Sequence, residues 1–218
     1  MPFTWPMVFT AKSRLNAYFI MNLTIHNFVK NKYNETFESS PIEYDFLDTQ
    51  LGILNIAYNS MGICHLSFEM SQNKLIKQLK YEWPKSSIKN NPIAIDLKNR
   101  ILQYLDHQLV EKQSKISSNN AISIVLKGTI FQIQVWRQLT RIPIGMISNY
   151  SQIAKDLNIP RATRAISNAI AINPIAILIP CHRVIRKDGH LGGYRWGNYN
   201  KIRLLKLENQ QFNIPIQA

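Results

Sequence analysis

Cys181, His182 and Arg183 stand side by side, immediately after an apolar run that ends in Pro180. A cysteine thiol is a good nucleophile only as the thiolate, and neighbouring cationic or hydrogen-bonding groups raise the thiolate fraction. Pro180 restricts its own backbone and favours an extended residue before it. The sequence therefore predicts that Cys181 lies where an apolar segment stops, at the floor of a pocket. A free cysteine also packs well as a small buried hydrophobe, and that alternative involves no chemistry.

A second group that could take part in chemistry is Glu208, in a helix predicted over residues 199–209. Ile202 and Leu205 are expected to face inward, and Glu208 points broadly the same way. A carboxylate directed at a core is costly unless something pairs with it. A structural salt bridge is the usual explanation, and His182 is the candidate partner here.

The elements before the cysteine predict a helix–turn–helix. Thr129 is the expected cap of a helix with one apolar face that includes Trp136. Asn149 caps a short helix, and Asn158 ends it because asparagine tolerates the left-handed conformation. Pro160 is predicted in the first turn of the next helix, where its missing N–H costs nothing.

The helix after Pro160 has two different faces when it is rotated by about 100° per residue. The predicted inner face carries Ala162, Ile166, Ala169, Ile170 and Asn173. The predicted outer face carries Arg161, Arg164, Ala165, Asn168 and Ala171. Small side chains allow close approach to a nucleic-acid groove, while arginines meet phosphates or enter the base stack. An ordinary solvated arginine face has the same pattern.

Positive charge is concentrated in the second half of the chain. The 218 residues include 26 Lys or Arg and 13 Asp or Glu, a formal net charge of +13. From Gly128 onward there are 12 basic against 3 acidic residues, or +9, which leaves 14 against 10, or +4, before it. This favours a polyanionic partner, nucleic acid before an acidic membrane, although a basic surface that only aids solubility is the alternative. A hydrophobic fraction of 45% excludes a disordered chain.

Cysteine usage and the N-terminal composition indicate the compartment. Cys64 and Cys181 do not make a disulfide framework, and no Cys/His set has zinc-finger spacing, so no zinc-finger site is predicted. The apolar first nine residues are short for a membrane span and follow no basic region, so no signal peptide or membrane helix is expected. The cytoplasm is the expected location, and it keeps thiols reduced.

The N-terminal half is expected to be a small α/β domain without a catalytic constellation. Residues 51–68 predict a β-hairpin, and Cys64 in its second strand is expected in the core. Ser71 is a possible cap of a helix stopped by Pro84, and a second helix is expected to start near Pro92. A polar loop and a short strand follow at residues 111–120 and 121–126. Residues 1–40 are treated as an extension with little predicted structure, and one hypothesis is that the natural start is Met21.

The chain resembles the O6-alkylguanine-DNA alkyltransferases, also called methylated-DNA–protein-cysteine methyltransferases. The motifs that carry the resemblance are Pro180-Cys181-His182-Arg183-Val184, Asn173-Pro174, Gly193-Tyr194-Arg195-Trp196-Gly197, and Gly128-Thr129-Ile130-Phe131-Gln132 with Val135-Trp136. The resemblance is continuous from about Gly128 to Glu208 and much weaker before Gly128. It implies an α/β protein with a ribonuclease-H-like N-terminal domain at residues 41–127 and a helix–turn–helix, winged-helix-like catalytic and DNA-binding domain at residues 128–218.

The resemblance implies DNA repair by direct reversal, in a single irreversible transfer of a methyl or other alkyl group to Cys181. The expected substrate is O6-alkylguanine in double-stranded DNA, with O4-alkylthymine as a further candidate. No cofactor, membrane or partner subunit is expected, so the protein is predicted to be a monomer. Because adjacent residues of an extended segment point to opposite sides, His182 is expected to reach the Cys181 proton through a bridging water, with Glu208 orienting the imidazole.

The resemblance also assigns the site residues. The implied catalytic residues are Cys181, His182, Glu208, Tyr150 and Asn173. The implied DNA-binding residues are Arg164, Tyr150, Ser151, Gln132, Arg161, Asn168 and Lys187. The implied substrate-pocket residues are Val184, Tyr194, Arg195, Trp136 and Pro180. Among them Arg164 takes the place of the extruded base, and Tyr150 contacts the flipped nucleotide and donates to the leaving group. Asn173 braces the recognition helix, which is the helix after Pro160, against the active-site segment that leads to Cys181.

Two other classes of function stay open at this point. One is a DNA-binding regulator or lesion sensor without chemistry, which the presence of Cys181 disfavours. The other is a thiol hydrolase, whose base should reach the sulfur from elsewhere in the fold. A labelled methyl group that appears on the protein would discriminate among all three.

Overall fold

The N-terminal part of the chain is organised around a six-stranded sheet in the computed structural model, which describes residues 23–29, 39–109 and 121–208. The strands are β1 (Leu23–Val29), β2 (Ile42–Thr49), β3 (Gly52–Asn59), β4 (Gly62–Phe68), β5 (Ile88–Asn90) and β6 (Ile122–Gly128). They lie in the order β1-β6-β4-β3-β2-β5. Strand β3 is antiparallel to both β2 and β4, whereas the pairs β2–β5, β4–β6 and β1–β6 are parallel. The sheet is therefore mixed.

The predicted hairpin at residues 51–68 is confirmed as β3 and β4. Its turn is stabilised by Asn59, whose side-chain oxygen accepts from the Met61 N–H at 2.9 Å. Gly62 follows with φ 146°, and a Cβ there would lie 2.4 Å from the Ser123 carbonyl oxygen of β6. Only glycine permits this close approach of two backbones. Cys64 lies in the core as expected, 2% exposed.

Strand β1 corrects the expectation for residues 1–40. Leu23–Val29 pairs in parallel with β6 over its whole length, from Leu23 opposite Ile122 to Val29 opposite Gly128. The sequence reasoning missed it because a parallel edge strand pairs with a segment about one hundred residues away, which no local pattern reveals. Residues 1–22, including the proposed start at Met21, lie outside the described residues, as does the whole of the predicted loop at 111–120.

Six α-helices lie within the described residues. They are α1 (Gln72–Glu82), α2 (Ile95–Leu109), α3 (Ile130–Leu139), α4 (Tyr150–Asp156), α5 (Thr163–Ala171) and α6 (Asn198–Glu208). Helix α1 packs with Leu75 and Leu79 on one face of the sheet, whereas α2 and the C-terminal helices share a larger apolar core with the other face. None of the described helices combines the length and apolarity that crossing a lipid bilayer requires.

Two helices start later than predicted. Helix α2 begins at Ile95 and not near Pro92, because the backbone N–H of Ile93 is held by Asp45 Oδ2 at 2.9 Å. Helix α5 begins at Thr163, so Pro160 does not occupy its first turn. A separate turn, closed by the Ala162 N–H on the Ile159 carbonyl, places the proline before the helix.

The other elements of the helix–turn–helix agree with the sequence. Thr129 and Gln132 form a reciprocal capping box at the start of α3. Asn149 caps α4 by accepting from the Gln152 N–H at 2.9 Å, and Asn158 has φ 59°. A small parallel ladder of β7 (Ser148–Asn149) with β8 (Val184–Ile185) fixes the start of α4 beside the segment that follows Cys181.

The active-site segment, residues 173–181, is attached to the N-terminal sheet through β4. The Leu66 N–H donates to the Pro174 carbonyl at 3.1 Å, and the Ala176 N–H donates to the Leu66 carbonyl at 2.7 Å. The segment that leads to the cysteine is therefore fixed to a central strand of the sheet.

Candidate active site

Cys181 is the first residue of a 3₁₀ turn, Cys181–Arg183, and is 3% exposed. The expectation of an extended approach is wrong here: the Cys181 N–H donates to the Ile179 carbonyl at 2.7 Å, and the Arg183 N–H to the Pro180 carbonyl at 3.0 Å. The apolar run before it is a series of turns in which Ile177 has φ 64°. The thiol thus lies on a tight, buried turn.

Asn173 connects helix α5 to this turn. It is fully buried, two residues beyond the end of the helix. Its side-chain oxygen accepts from the Ile175 N–H at 3.0 Å, and its amide nitrogen lies 3.0 Å from the Ile179 carbonyl and 3.2 Å from Cys181 Sγ. The amide braces the loop and also presents a donor to the sulfur.

His182 and Glu208 form a buried pair, with Nε2 and Oε1 2.7 Å apart. The Glu208 carboxylate also accepts from Arg183, at 2.9 Å from Nε to Oε2 and 2.7 Å from Nη2 to Oε1. Burial opposes the charge of Glu208, but Arg183 and His182 outweigh it and hold its pKa down to about 2. Since an ionised carboxylate can only accept, His182 donates from Nε2 and carries its lone pair on Nδ1.

The free nitrogen of His182 is suited to act as a base. Burial lowers the pKa of His182, against the opposing influence of Glu208, so the imidazole is neutral near pH 7. Its Nδ1 is buried and has no hydrogen-bond partner among the described residues.

The Cys181 thiol needs such a base. Burial raises its pKa to about 11, although the Asn173 amide and the charge of Lys201 oppose the shift. A thiol with this pKa is almost entirely protonated at neutral pH, so the chemistry must include a step that removes the proton.

Two tyrosines lie near the sulfur. Tyr150, at the start of α4, is half-buried, and its pKa is raised by burial and by the charge of Cys181. Its hydroxyl oxygen would lie 2.8 Å from a Cβ at Gly192, where φ is 67°. Tyr194 is more deeply buried, and its hydroxyl has no hydrogen-bond partner within the described residues. A groove of about 610 Å³ opens beside them, lined by Tyr150, Ser151, Thr163, Arg186, Lys187 and Asp188.

The two faces of α5 are those that the sequence predicted. Ile166, Ala169 and Ile170 are buried. The outer-face residues, which are Arg161, Arg164, Ala165, Asn168 and Ala171, are exposed. Lys187 is also exposed, while Ser151 donates to the Asn149 side chain at 2.6 Å and Gln132 is engaged in the cap of α3.

The predicted substrate-pocket residues are more scattered. Trp136 is 2% exposed and donates from its indole to the Ala169 carbonyl at 2.9 Å, so it lies in the core beneath α5 and not at an open pocket. Pro180 and Val184 are buried beside the cysteine turn. The Arg195 side chain donates to the carbonyls of Ile172 and Asn173, each at 3.0 Å.

Lys201 is a site residue that the sequence reasoning missed. It is fully buried and donates to the Val184 carbonyl at 2.7 Å and to the Leu191 carbonyl. Burial lowers its pKa to about 8. A signal was present, because Lys201 lies four residues before Leu205 and seven before Glu208, on the same helical face. The structure buries this face, whereas Ile202, which was expected inside, is only half-buried.

The chain is similar to known proteins in both sequence and structure. Residues 130–210 match the family model of the 6-O-methylguanine DNA methyltransferase DNA-binding domain. The chain is 36% identical over 165 residues to a methylated-DNA–protein-cysteine methyltransferase of Methanosarcina barkeri, covering 76% of this chain and 96% of that protein. It is 33% identical over 171 residues to the bifunctional transcriptional activator/DNA repair enzyme Ada of Escherichia coli, covering 78% of this chain and 46% of Ada, so it spans about half the length of that relative.

The fold agrees with these sequence matches. The crystal structure of Mycobacterium tuberculosis OGT in complex with DNA superimposes with a TM-score of 0.60 at 29% identity, over 77% of this chain and 93% of that one. The architecture is therefore that of a mixed α/β protein of the OGT type. The chain belongs to the methylated-DNA–protein-cysteine methyltransferase family.

Proposed function

We propose that this protein repairs alkylated DNA by moving a methyl or larger alkyl group from O6 of guanine to the sulfur of Cys181, once per molecule and without a cofactor. The observation that carries the proposal is the position of the Cys181 thiol, bound by Asn173 at the end of α5 and adjacent in the chain to the His182–Glu208 pair. One amide thus joins the nucleophile to the helix whose outer face carries Arg161 and Arg164.

The first step is removal of the thiol proton. His182 Nδ1 holds the available lone pair, and a bridging water passes the Cys181 proton to it. Glu208 stabilises the imidazolium that results, because its carboxylate stays ionised in the folded protein. The Asn173 amide stabilises the thiolate by donating to Sγ.

The second step is displacement at the alkyl carbon. A Cys181 sulfur lone pair forms the S–C bond while the C–O6 bond breaks, and its electron pair goes to guanine. Tyr150 donates a hydrogen bond to the leaving group as negative charge develops there. The guanine anion then takes up a proton at N1, and His182 gives up to solvent the proton that it took from the thiol. The products are guanine in DNA and a thioether on Cys181, and none of the described residues of the site regenerates the thiol.

The target base must leave the duplex before it can reach a buried sulfur, at a cost of a few kcal/mol. We assign Arg164 to the gap that the base leaves. We assign Arg161, Asn168, Ser151, Gln132 and Lys187 to the flanking backbone and groove. Backbone contacts of this kind offset part of the cost of extrusion.

The finer architecture is also a proposal. We infer a ribonuclease-H-like N-terminal domain and a winged-helix-like C-terminal domain that meet near Gly128, with β1 added to the N-terminal sheet. We expect a monomer located in the cytoplasm. Size-exclusion chromatography with light scattering and cell fractionation test these two expectations.

The decisive experiment uses an oligonucleotide duplex containing O6-methylguanine with a labelled methyl group. We expect one label per active protein, on the peptide that contains Cys181, and unmethylated guanine in the DNA. Cys181→Ala should bind the duplex without transfer, and Cys64→Ala should transfer normally. Label on another residue, or more than one transfer per molecule, would refute the proposal. Label released as a small product would instead identify a hydrolase, and binding without transfer by the wild type a lesion sensor.

A further inference from the structure

A polar cluster in the N-terminal half reaches the active-site segment through Glu82, the last residue of α1. The Glu82 carboxylate lies 3.1 Å from His65 Nδ1, accepts from Gln78 Nε2 at 2.6 Å, and lies 3.4 Å from Arg195 Nη2. Burial opposes its charge, but His65, Gln78 and Arg195 together lower the pKa of Glu82 below its ordinary value. The group is therefore a carboxylate near neutral pH.

The cluster is anchored in the sheet. His65 on β4 is 1% exposed, and its Nε2 lies 3.1 Å from Ser67 Oγ. Asn55 on β3 donates to the same hydroxyl at 3.2 Å and to the Phe68 carbonyl at 3.1 Å. These residues hold Glu82 in one position, unlike the partners of a solvated surface ion pair.

Arg195 carries the connection to the active-site segment. One terminal nitrogen faces Glu82, and the other donates to the Ile172 and Asn173 carbonyls at 3.0 Å each. These carbonyls belong to the turn that leaves α5. Asn173 in turn places its amide 3.2 Å from Cys181 Sγ. The backbone bonds of Leu66 to Pro174 and Ala176 hold the same segment from the neighbouring position on β4.

We infer that Glu82 is a positioning residue for the nucleophile, acting through Arg195 and Asn173 on Cys181. The carboxylate orients the guanidinium, the guanidinium fixes the Asn173 backbone, and the Asn173 amide then stays directed at the sulfur. The N-terminal half thereby supports thiolate formation without touching the substrate. The inference deepens the proposed function, on which its relevance to repair rests.

The test measures alkylation of Cys181 by iodoacetamide in the absence of DNA, across a pH series, by peptide mass spectrometry. The variants are Glu82→Gln, Arg195→Gln and the double variant, with Glu69→Gln, an exposed glutamate near the start of α1, as the matched control. We expect each single variant to react about two- to fivefold more slowly near neutral pH. The double variant should be no slower than Arg195→Gln, because both act along one path.

The pH profile separates positioning from general damage. Loss of the Asn173 contact makes the thiolate less stable, so the midpoint of the profile should move to higher pH. The other titratable or charged groups around the sulfur are Lys201 on α6, Tyr150 on α4, Tyr194, Arg195 and His182. Of these, only Arg195 contacts residue 82, so Glu82→Gln leaves the contacts of the others in place. Two results would overturn the inference. One is a rate of alkylation that falls equally at every pH without a shift of the midpoint, and the other is a loss of rate in the double variant equal to the sum of the two single losses.

Arg195→Lys provides a second variant at a more exposed position, should Glu82→Gln fold poorly. An ammonium cannot serve both carbonyls and the carboxylate as a guanidinium does, so we expect the same shift of the profile. A wild-type profile in Arg195→Lys would overturn the inference as well. Methyl transfer from O6-methylguanine DNA is measured in parallel. Failure of the wild type in that assay would refute the proposed function, whereas an unshifted iodoacetamide profile would refute only the role of Glu82.

Discussion

Cys181 and Glu208 are both buried, yet their proton affinities are displaced in opposite directions. Burial raises the pKa of the thiol to about 11, because the Asn173 amide and the charge of Lys201 do not compensate for it. The pKa of the carboxylate is lowered to about 2, because Arg183 and His182 bind it directly. The resting protein therefore holds a neutral thiol beside a preformed anion. A neutral thiol reacts slowly with other electrophiles, while the His182 imidazole and the Glu208 carboxylate are already in the protonation states that proton removal requires.

Glu208 should make the protein sensitive to acid. Its carboxyl binds a proton more weakly in the folded chain, with a pKa of about 2 against an ordinary 4.5, so protonation favours unfolding. The stabilisation is complete above about pH 4.5 and is lost as the pH falls towards 2, by about 3 kcal/mol. Urea denaturation at several pH values measures it. Glu208→Gln should be less stable at pH 7 and flatter across this acidic range, and an equally steep variant would contradict the assignment.

Lys201 should contribute to stability through its two carbonyl partners. Lys201→Met keeps the length of the side chain but leaves the Val184 and Leu191 carbonyls without this donor, which we expect to cost about 2 kcal/mol. Lys206→Met, on the exposed side of the same helix, should have little effect. Thermal and urea denaturation of both variants make the comparison. Equal stability of the two would mean that water replaces the ammonium.

The residues proposed to react were easier to find in the sequence than the residues that support them. Cys181, His182 and Asn173 lie within ten residues, so their motif is local and visible. Arg183 was quoted in the same motif, but its bond to Glu208 depends on how α6 packs. Glu82 and Arg195 are more than a hundred residues apart and meet only because β4 pairs with the active-site segment, a contact that no local pattern displays.

At the scale of elements, the loop from Arg186 to Gly197 forms one side of the site. The Arg186 N–H donates to the His190 carbonyl at 2.8 Å across the Asp188-Gly189 turn. The loop then brings Gly192 against the Tyr150 hydroxyl, and Tyr194 packs edge-on against Trp196. Its glycines are needed for the close approach at one position and not at the next.

Gly192→Ala and Gly193→Ala should therefore differ. At Gly192 the new methyl group would lie 2.8 Å from the Tyr150 hydroxyl, on a backbone with φ 67° that alanine rarely adopts. At Gly193 nothing lies within 4 Å. We expect a roughly tenfold or greater loss of methyl transfer in Gly192→Ala, equivalent to about 1.4 kcal/mol. Gly193→Ala should transfer almost normally, and equal rates in the two variants would exclude Tyr150 as a positioned donor.

Helix α5 should matter most when the target base is paired. Arg164→Ala removes the side chain assigned to the gap, and we expect roughly tenfold slower transfer from a duplex, equivalent to about 1.4 kcal/mol of lost compensation. Single-stranded substrate should be affected much less, because its base is already unstacked. Lys77→Ala, an exposed cation on α1, serves as the charge-matched control. Equal losses on both substrates would indicate simple electrostatic binding.

Element boundaries depended on contacts that the sequence does not display. The caps at Thr129 and Asn149 were predictable, since a capping side chain and its target are three residues apart. The late starts of α2 and α5 were not, because the Asp45 contact and the turn before Ala162 decide them. The cysteine turn was unpredictable for a similar reason, as Asn173 holds the carbonyl of Ile179 from outside the segment.

At the scale of the whole molecule, the two halves are joined at several separate places. Leu66 bonds to the active-site segment, Glu82 contacts Arg195, and Arg203 on α6 donates to the Leu51 carbonyl at 2.9 Å. The C-terminal half carries the excess of positive charge, while the sheet supplies rigidity. The helices of the second half could largely be predicted from its motifs. The strand order of the sheet could not, because the parallel pairing of β6 with β1 and β4 depends on contacts that are remote in sequence.

Strand β1 is an edge strand of the six-stranded sheet and lies beside β6. It covers one edge of β6, in which Ile122, Ile124, Val125 and Leu126 are apolar. On its other side β6 pairs with β4 at Ile63 and Ile124. A truncated version that begins after Val29 would leave the β6 backbone uncovered, and a bare apolar edge recruits strands from other molecules. We expect such a version to form dimers and larger aggregates as its concentration rises, as measured by light scattering, while a version that begins at Met21 stays dispersed. Removing β1 from an expressed version of the chain would thus make an otherwise dispersed protein prone to aggregation.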